Sequence, residues 1–320
     1  MVNVREHLLA LNDELRRLKA EGSRSLAVSE DNLVSLRRAV RAVTAAEPPA
    51  AALVPASETS DIAASMEADI PVAVAVAAAA PTTAARAVPR APSTAPLPAE
   101  TPVVRLPEGD KPTRWNALRD LVLSHPVCQA HVRPGKKIVL GVGSLDAGIF
   151  FCGEAPGAEE EVQGEPFVGP AGQLLTRMIQ AMGLRREDVY IGNIMNWRPE
   201  LPVTGNGEQY GNRPPTPEEM NFCLPFLRAQ LDIVQPRIIV ALGATAAGGL
   251  LGPGTFKALG EVRGRWHTFN GLPLMITYHP SYILRNQSNR SKRMIWEDLL
   301  KVMERAGLPP TEKQRNYFLG

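Results

Sequence analysis

The stretch IFFCGEAPGAEEEVQGEPFVGPAG, Ile149 to Gly172, changes character repeatedly within a few turns of chain. Ile149 to Cys152 is a short apolar run and predicts a buried strand. Gly153-Glu154-Ala155-Pro156-Gly157 breaks it into a loop that neither a strand nor a helix accommodates. Three acids follow, Glu159 to Glu161, then Pro166-Phe167-Val168-Gly169, and a helix is predicted from about Pro170. An α/β sheet builds a small-molecule pocket in this way, at the carboxyl end of a strand.

Outward from that stretch, strands alternate with helices. Val139–Gly143 and Ile149–Gly153 read as strands joined by a turn through Asp146-Ala147-Gly148. A helix is expected over Gly172–Met182 and a strand over Val189–Ile194. Thr216-Pro217-Glu218-Glu219 is a helix start, with a cap, a proline in the first position and acids in the first turn. Arg237–Leu242 and Leu272–Thr277 are apolar strands, with a helix over Ala244–Leu251 after the first. Short helices are expected at Trp115–Leu123 and, near the end, Trp296–Met303. Such alternation predicts a three-layer α/β/α sandwich with a mainly parallel central sheet.

The amino-terminal third differs. Leu8, Leu9, Leu11, Leu15 and Leu18 have helical spacing, and a basic helix is expected from about Ser29 to Val43. These helices pack on each other, or they dock a partner or touch DNA, and the sequence leaves the choice open. Residues 45–107 are rich in Ala and Pro and poor in large apolar side chains, which predicts a disordered linker. The expected organisation is a helical arm (1–44), a flexible linker (45–107) and a catalytic domain (108–320). A formal charge of +2 names no partner, and 3 widely spaced cysteines make a poor disulfide framework. The first residues lack a signal-peptide core, and no run is apolar enough for a membrane span. A cytoplasmic monomer without membrane contact is the expectation.

GEAPG followed by PFVG, an Asn-bearing strand, NRPPTPEE and HPSYILR, in that order, resembles the motif series of the uracil-DNA glycosylase superfamily. It is nearest to family 4, the iron–sulfur class. The resemblance runs from about Cys128 to Gly307 and implies removal of uracil from single- or double-stranded DNA. It implies that Phe167 stacks the flipped uracil, and that Gly153, Ala155 and Gly157 line the pocket. It also implies that Glu154 lies beside the base and Glu160 excludes the 5-methyl of thymine. Asn193 suits the Watson–Crick edge, because one carboxamide donates to O4 and accepts from N3–H. His279 is implied to hydrogen-bond O2 as charge builds on the leaving base. The best-known branch carries a water-positioning Asp where this chain has Ala155, so a dissociative reaction with weakly assisted water attack is expected. Glu159 and Glu161 read as solvated acids. Ser281, Arg285, Arg290, Lys292 and Arg293 are expected at DNA phosphates, with Ile283 or Leu284 as the wedge. Helix-start amides near Gly169–Ala171 and Gly243–Thr245 are further phosphate candidates.

The chain departs from family 4 at its cluster. Cys128 and Cys223 stand at matching places, but His125 and Trp197 replace the other two cysteines. Four thiolates are the usual requirement, so no cofactor is expected. Arg285 to Arg293 contains no histidine of the kind that traps DNA covalently in a related branch, and turnover is expected. Two other readings stay open: a glycosylase for another deaminated base such as hypoxanthine, and a DNA-binding module that has lost catalysis.

Overall fold

The computed structural model describes residues 97–98, 100–201 and 211–319. The expected arm and most of the expected linker lie outside the described residues. At the linker's end, Leu97, Val104 and Leu106 pack against the folded core.

Helix α1 (Lys111–Ser124) begins at Asp110, whose carboxylate accepts from the Thr113 N–H, and a five-residue helix α2 (Pro126–Ala130) follows. Strands β1 (Val142–Gly143), β2 (Ile149–Gly153) and β3 (Tyr190–Asn193) come next. Between β2 and β3 lie the one-turn helix α3 (Glu160–Gln163) and helix α4 (Pro170–Ala181). Helix α5 (Pro217–Val234) starts on the Thr216–Glu219 capping box and leads to β4 (Ile238–Leu242) and α6 (Ala244–Leu251). The chain then forms α7 (Leu259–Val262), β5 (Trp266–Phe269), β6 (Leu272–Thr277), α8 (Pro280–Arg285), α9 (Asn289–Ala306) and α10 (Glu312–Arg315).

The sheet order is β1-β3-β2-β4-β6-β5. The inner four strands are parallel, and the two edges run antiparallel. Every residue of β2, β3 and β4 is buried, as a sheet covered on both faces requires. Side chains alternate between faces. Phe151, Ile191 and Val240 meet Leu175, Met178 and Ile179 of α4 and Trp296 and Leu299 of α9. Phe150, Tyr190 and Ile239 meet Leu227 and Leu231 of α5 and Ala246, Ala247 and Leu250 of α6. A sheet with a helical layer on each face is the expected three-layer sandwich. From β2 the chain moves to β3 on one side through α4, then to β4 on the other through α5. This reversal opens a crevice at the carboxyl end of β2.

Two expectations change. Val139–Gly143 forms only a two-residue strand, Val142–Gly143, which pairs with β3. Strand β5, which the sequence pattern did not announce, closes the far edge.

Candidate active site

The crevice collects groups from four strand ends: Gly153 from β2, Asn193 from β3, Gly243 from β4 and His279 just after β6. Gly153 permits the closest approach. A Cβ placed there would lie 2.4 Å from Asn193 Oδ1 and 2.5 Å from Phe167 Cζ. Carboxamide and ring therefore converge over a bare stretch of backbone. The Phe167 ring lies 5.5 Å from the His279 ring, centroid to centroid, at 30°. Asn193 is 6% exposed, at the last position of β3.

His279 caps α8. Its Nδ1 accepts from the Ser281 backbone N–H at 3.2 Å, and Ser281 Oγ lies 2.8 Å away. A backbone N–H only donates, so Nδ1 carries no proton and the neutral ring holds its hydrogen on Nε2. Burial, with a smaller push from the Arg285 cation, lowers the ring's pKa to about 4; the Glu160 charge opposes this. The imidazole is thus a neutral donor at physiological pH.

Glu154 follows β2. Burial raises its carboxyl above the usual range, and a hydrogen bond with Thr245 in the first turn of α6 partly offsets that. Ala155 packs toward the α1–α5 cluster and offers no carboxylate. Glu160 accepts from the Val168 and Gly169 N–H groups, each at 2.9 Å, and from the Gly157 N–H at 3.1 Å. A Cβ on Gly157 would come within 2.6 Å of Glu160 Oε2, so glycine leaves room for that carboxylate.

Several expectations are corrected. Glu161 is not a solvated acid: it is 4% exposed and pairs with Arg198 at 2.8 Å and with Arg133. Ile283 is no wedge, because it is buried in the core that α4 and α9 share. Leu284 is only partly buried. Arg293 is committed to the carboxyl-terminal segment, donating to the Arg315 carbonyl at 2.6 Å and the Tyr317 carbonyl at 2.9 Å. Lys292 lies over the Phe318 ring. Arg285 and Arg290 are exposed.

Replacing Glu161 with Gln leaves the buried Arg198 guanidinium without its counter-charge. A destabilisation of about 3–5 kcal/mol is expected, measured by denaturant unfolding. A loss below about 1 kcal/mol, the range of exposed pairs, would show that the pair is solvated after all.

The cluster positions form a separate apolar core. Trp197 is 1% exposed and packs on His131 (5.0 Å) and Phe222 (5.9 Å). His125 makes edge contacts with Phe222 and Phe226, and its Nδ1 accepts from the Val127 N–H. Cys128 and Cys223 are buried in the same group. Among the described residues no group of three or more His, Cys, Asp or Glu side chains is placed to hold a metal ion. Two thiols, an engaged imidazole and a buried indole do not fit a four-thiolate cluster. Cys152 is a buried, apolar strand residue, as expected.

A phenyl ring, a carboxamide and a neutral imidazole thus meet at the switch point of an α/β sheet. Residues 140–300, half of the chain, match the family model described as the uracil DNA glycosylase superfamily. A type-4 uracil-DNA glycosylase of Thermotoga maritima is 44% identical over 178 residues, 55% of this chain and 85% of that relative. The type-4 enzyme of Archaeoglobus fulgidus is 37% identical over 62% of this chain and 94% of its own length. A type-5 uracil-DNA glycosylase of Pyrobaculum aerophilum is 30% identical over 51% of this chain and 73% of that relative. The chain belongs to the uracil-DNA glycosylase superfamily. No helix among the described residues is long and apolar enough to cross a membrane.

Proposed function

We propose that this chain is a monofunctional uracil-DNA glycosylase that hydrolyses the N-glycosidic bond of deoxyuridine in DNA and leaves an abasic site. The observation that carries the reading is the Asn193 carboxamide converging with the Phe167 ring over Gly153, beside a neutral His279. A uracil turned out of the stack lies on Phe167, and Asn193 donates to O4 while accepting from N3–H. Cytosine presents the reverse pattern at that edge. As the C1′–N1 bond breaks, its electron pair passes to the base, and the His279 Nε2–H donates to O2 where charge gathers. Water then adds to the cationic sugar carbon and releases a proton to solvent. With Ala155 at the acid position, Glu154 is the remaining carboxylate beside the base. Ser281, Arg285 and Arg290 hold the phosphates, and Leu284 fills the gap in the stack.

The enzyme works without an iron–sulfur cluster, and the Trp197 side chain occupies the space instead. It acts as a cytoplasmic monomer. Every role assigned falls within residues 108–320.

The test is base release from uracil-containing single- and double-stranded oligonucleotides, with Asn193→Ala as control and iron measured on the same anaerobic preparation. Uracil release by iron-free, colourless protein, lost in the variant, is expected. Faster release of hypoxanthine from inosine substrates would reassign the base. Binding without release of any base would leave a DNA-binding module. Stoichiometric iron with a visible charge-transfer band would overturn the cluster-free reading.

A further inference from the structure

We propose that Arg186 is a positioning residue for the stacking ring, which with Glu160 clamps the peptide groups on either side of Phe167. The inference rests on the glycosylase reading of the pocket.

Phe167 has φ +54°. That left-handed conformation is sparsely populated by bulky side chains and persists only where surroundings enforce it. The enforcing contacts come from both directions. Before the ring, Arg186 Nη2 donates to the Pro166 carbonyl at 2.7 Å. After it, the Val168 and Gly169 N–H groups donate to one oxygen of Glu160 at 2.9 Å. The peptide planes flanking Phe167 are thus held by opposite charges, and relaxing φ toward an ordinary value would tilt both away from their partners.

The clamp is anchored to the fold. Arg186 Nη1 also donates to Thr176 Oγ1 at 3.2 Å, and that hydroxyl donates to the Gly172 carbonyl in α4 at 3.1 Å. Gly172 itself allows the tight turn, since a Cβ there would lie 1.9 Å from the Phe167 carbonyl oxygen. Burial opposes the Arg186 charge, and Glu165, Glu187 and Glu160 partly offset that. A cation kept in such a setting is better explained by its fixed carbonyl partner than by solvation. Its neighbour Arg185 is exposed and pairs with Asp188.

Two readouts on the full chain test this. The first is a cycle of Arg186→Met and Phe167→Leu, scored by uracil release, with Arg186→Lys as the conservative variant. In the parent background Arg186→Met should lower kcat/KM roughly 10- to 100-fold, the worth of a charged hydrogen bond, mainly through KM. Arg186→Lys should restore part of it. In the Phe167→Leu background the Arg186→Met effect should shrink to about twofold, since coupled residues are not additive. The second readout needs no activity: amide hydrogen exchange at Val168 and Gly169 should quicken in Arg186→Met. Equal Arg186→Met effects in both backgrounds, or unchanged exchange, would overturn the proposal. Quickened exchange in a protein whose parent form releases no uracil would refute the glycosylase reading and leave the clamp standing.

Discussion

Replacing His279 with alanine is expected to lower uracil release by about 10²–10³-fold, the cost of losing one preorganised donor at a site of developing charge. The loss should fall on kcat, because O2 of intact deoxyuridine is a weak acceptor and the anion a strong one. The pH profile is the sharper check. The folded-state pKa of about 4 lies below the ordinary 6.5, so the folded protein favours the neutral ring. Its contribution to stability is fully present above pH 6.5 and is lost as pH falls toward 4. The imidazole should therefore remain a neutral donor throughout the range from 6.5 upward, with no loss of rate from its titration there. A rate that tracks protonation of a group near 6.5, and loses that dependence in His279→Ala, would show that the imidazolium is the active form.

The second large effect is expected at Gly153. Its missing Cβ is the space in which Asn193 and Phe167 meet, with separations of 2.4 and 2.5 Å from a methyl placed there. The strand end has little freedom to yield, because β2 is paired on both sides, to β3 and to β4. The pocket groups must move instead. Gly153→Ala should lower kcat/KM by at least about 10²-fold, as displacements near 1 Å do, while overpacking costs about 1–3 kcal/mol of stability. Activity assays beside thermal melts separate the two. A variant that melts earlier but keeps its activity would show that these groups do not form the base pocket.

The inner strands were legible almost residue for residue. β2, β4 and β6 are apolar runs ended by Gly or Thr, and burial on both faces leaves no other use for such runs. β5 was not legible, since Trp266-His267-Thr268-Phe269 lies at an edge where a mixed pattern is tolerated. Asn193 and His279 lie at strand ends, where motif order put them. The acids were harder. Glu159, Glu160 and Glu161 are neighbours in sequence, yet one is solvated, one braces the pocket loop and one is buried between arginines. Helical geometry separates neighbours by about 100°, and only their tertiary partners reveal which direction matters. Arg186 shows the same limit. Its carbonyl partner lies 20 residues away in sequence, and nothing in Leu184-Arg185-Arg186-Glu187 distinguishes the inward arginine from the outward one. Ile283 misled for the opposite reason, since the loop after His279 proved to be a helix whose Ile faces inward.

The Trp197 core bears on how the enzyme comes into being. A domain closed by an inorganic cluster has to meet the assembly machinery before it matures, and it then stays exposed to superoxide and to iron starvation. A domain closed by indole and phenyl rings carries its own plug from the ribosome. On the cluster-free reading, damage that raises both deaminated bases and oxidants would leave this repair step running, because the core around Trp197 is closed by side chains and has no iron to lose.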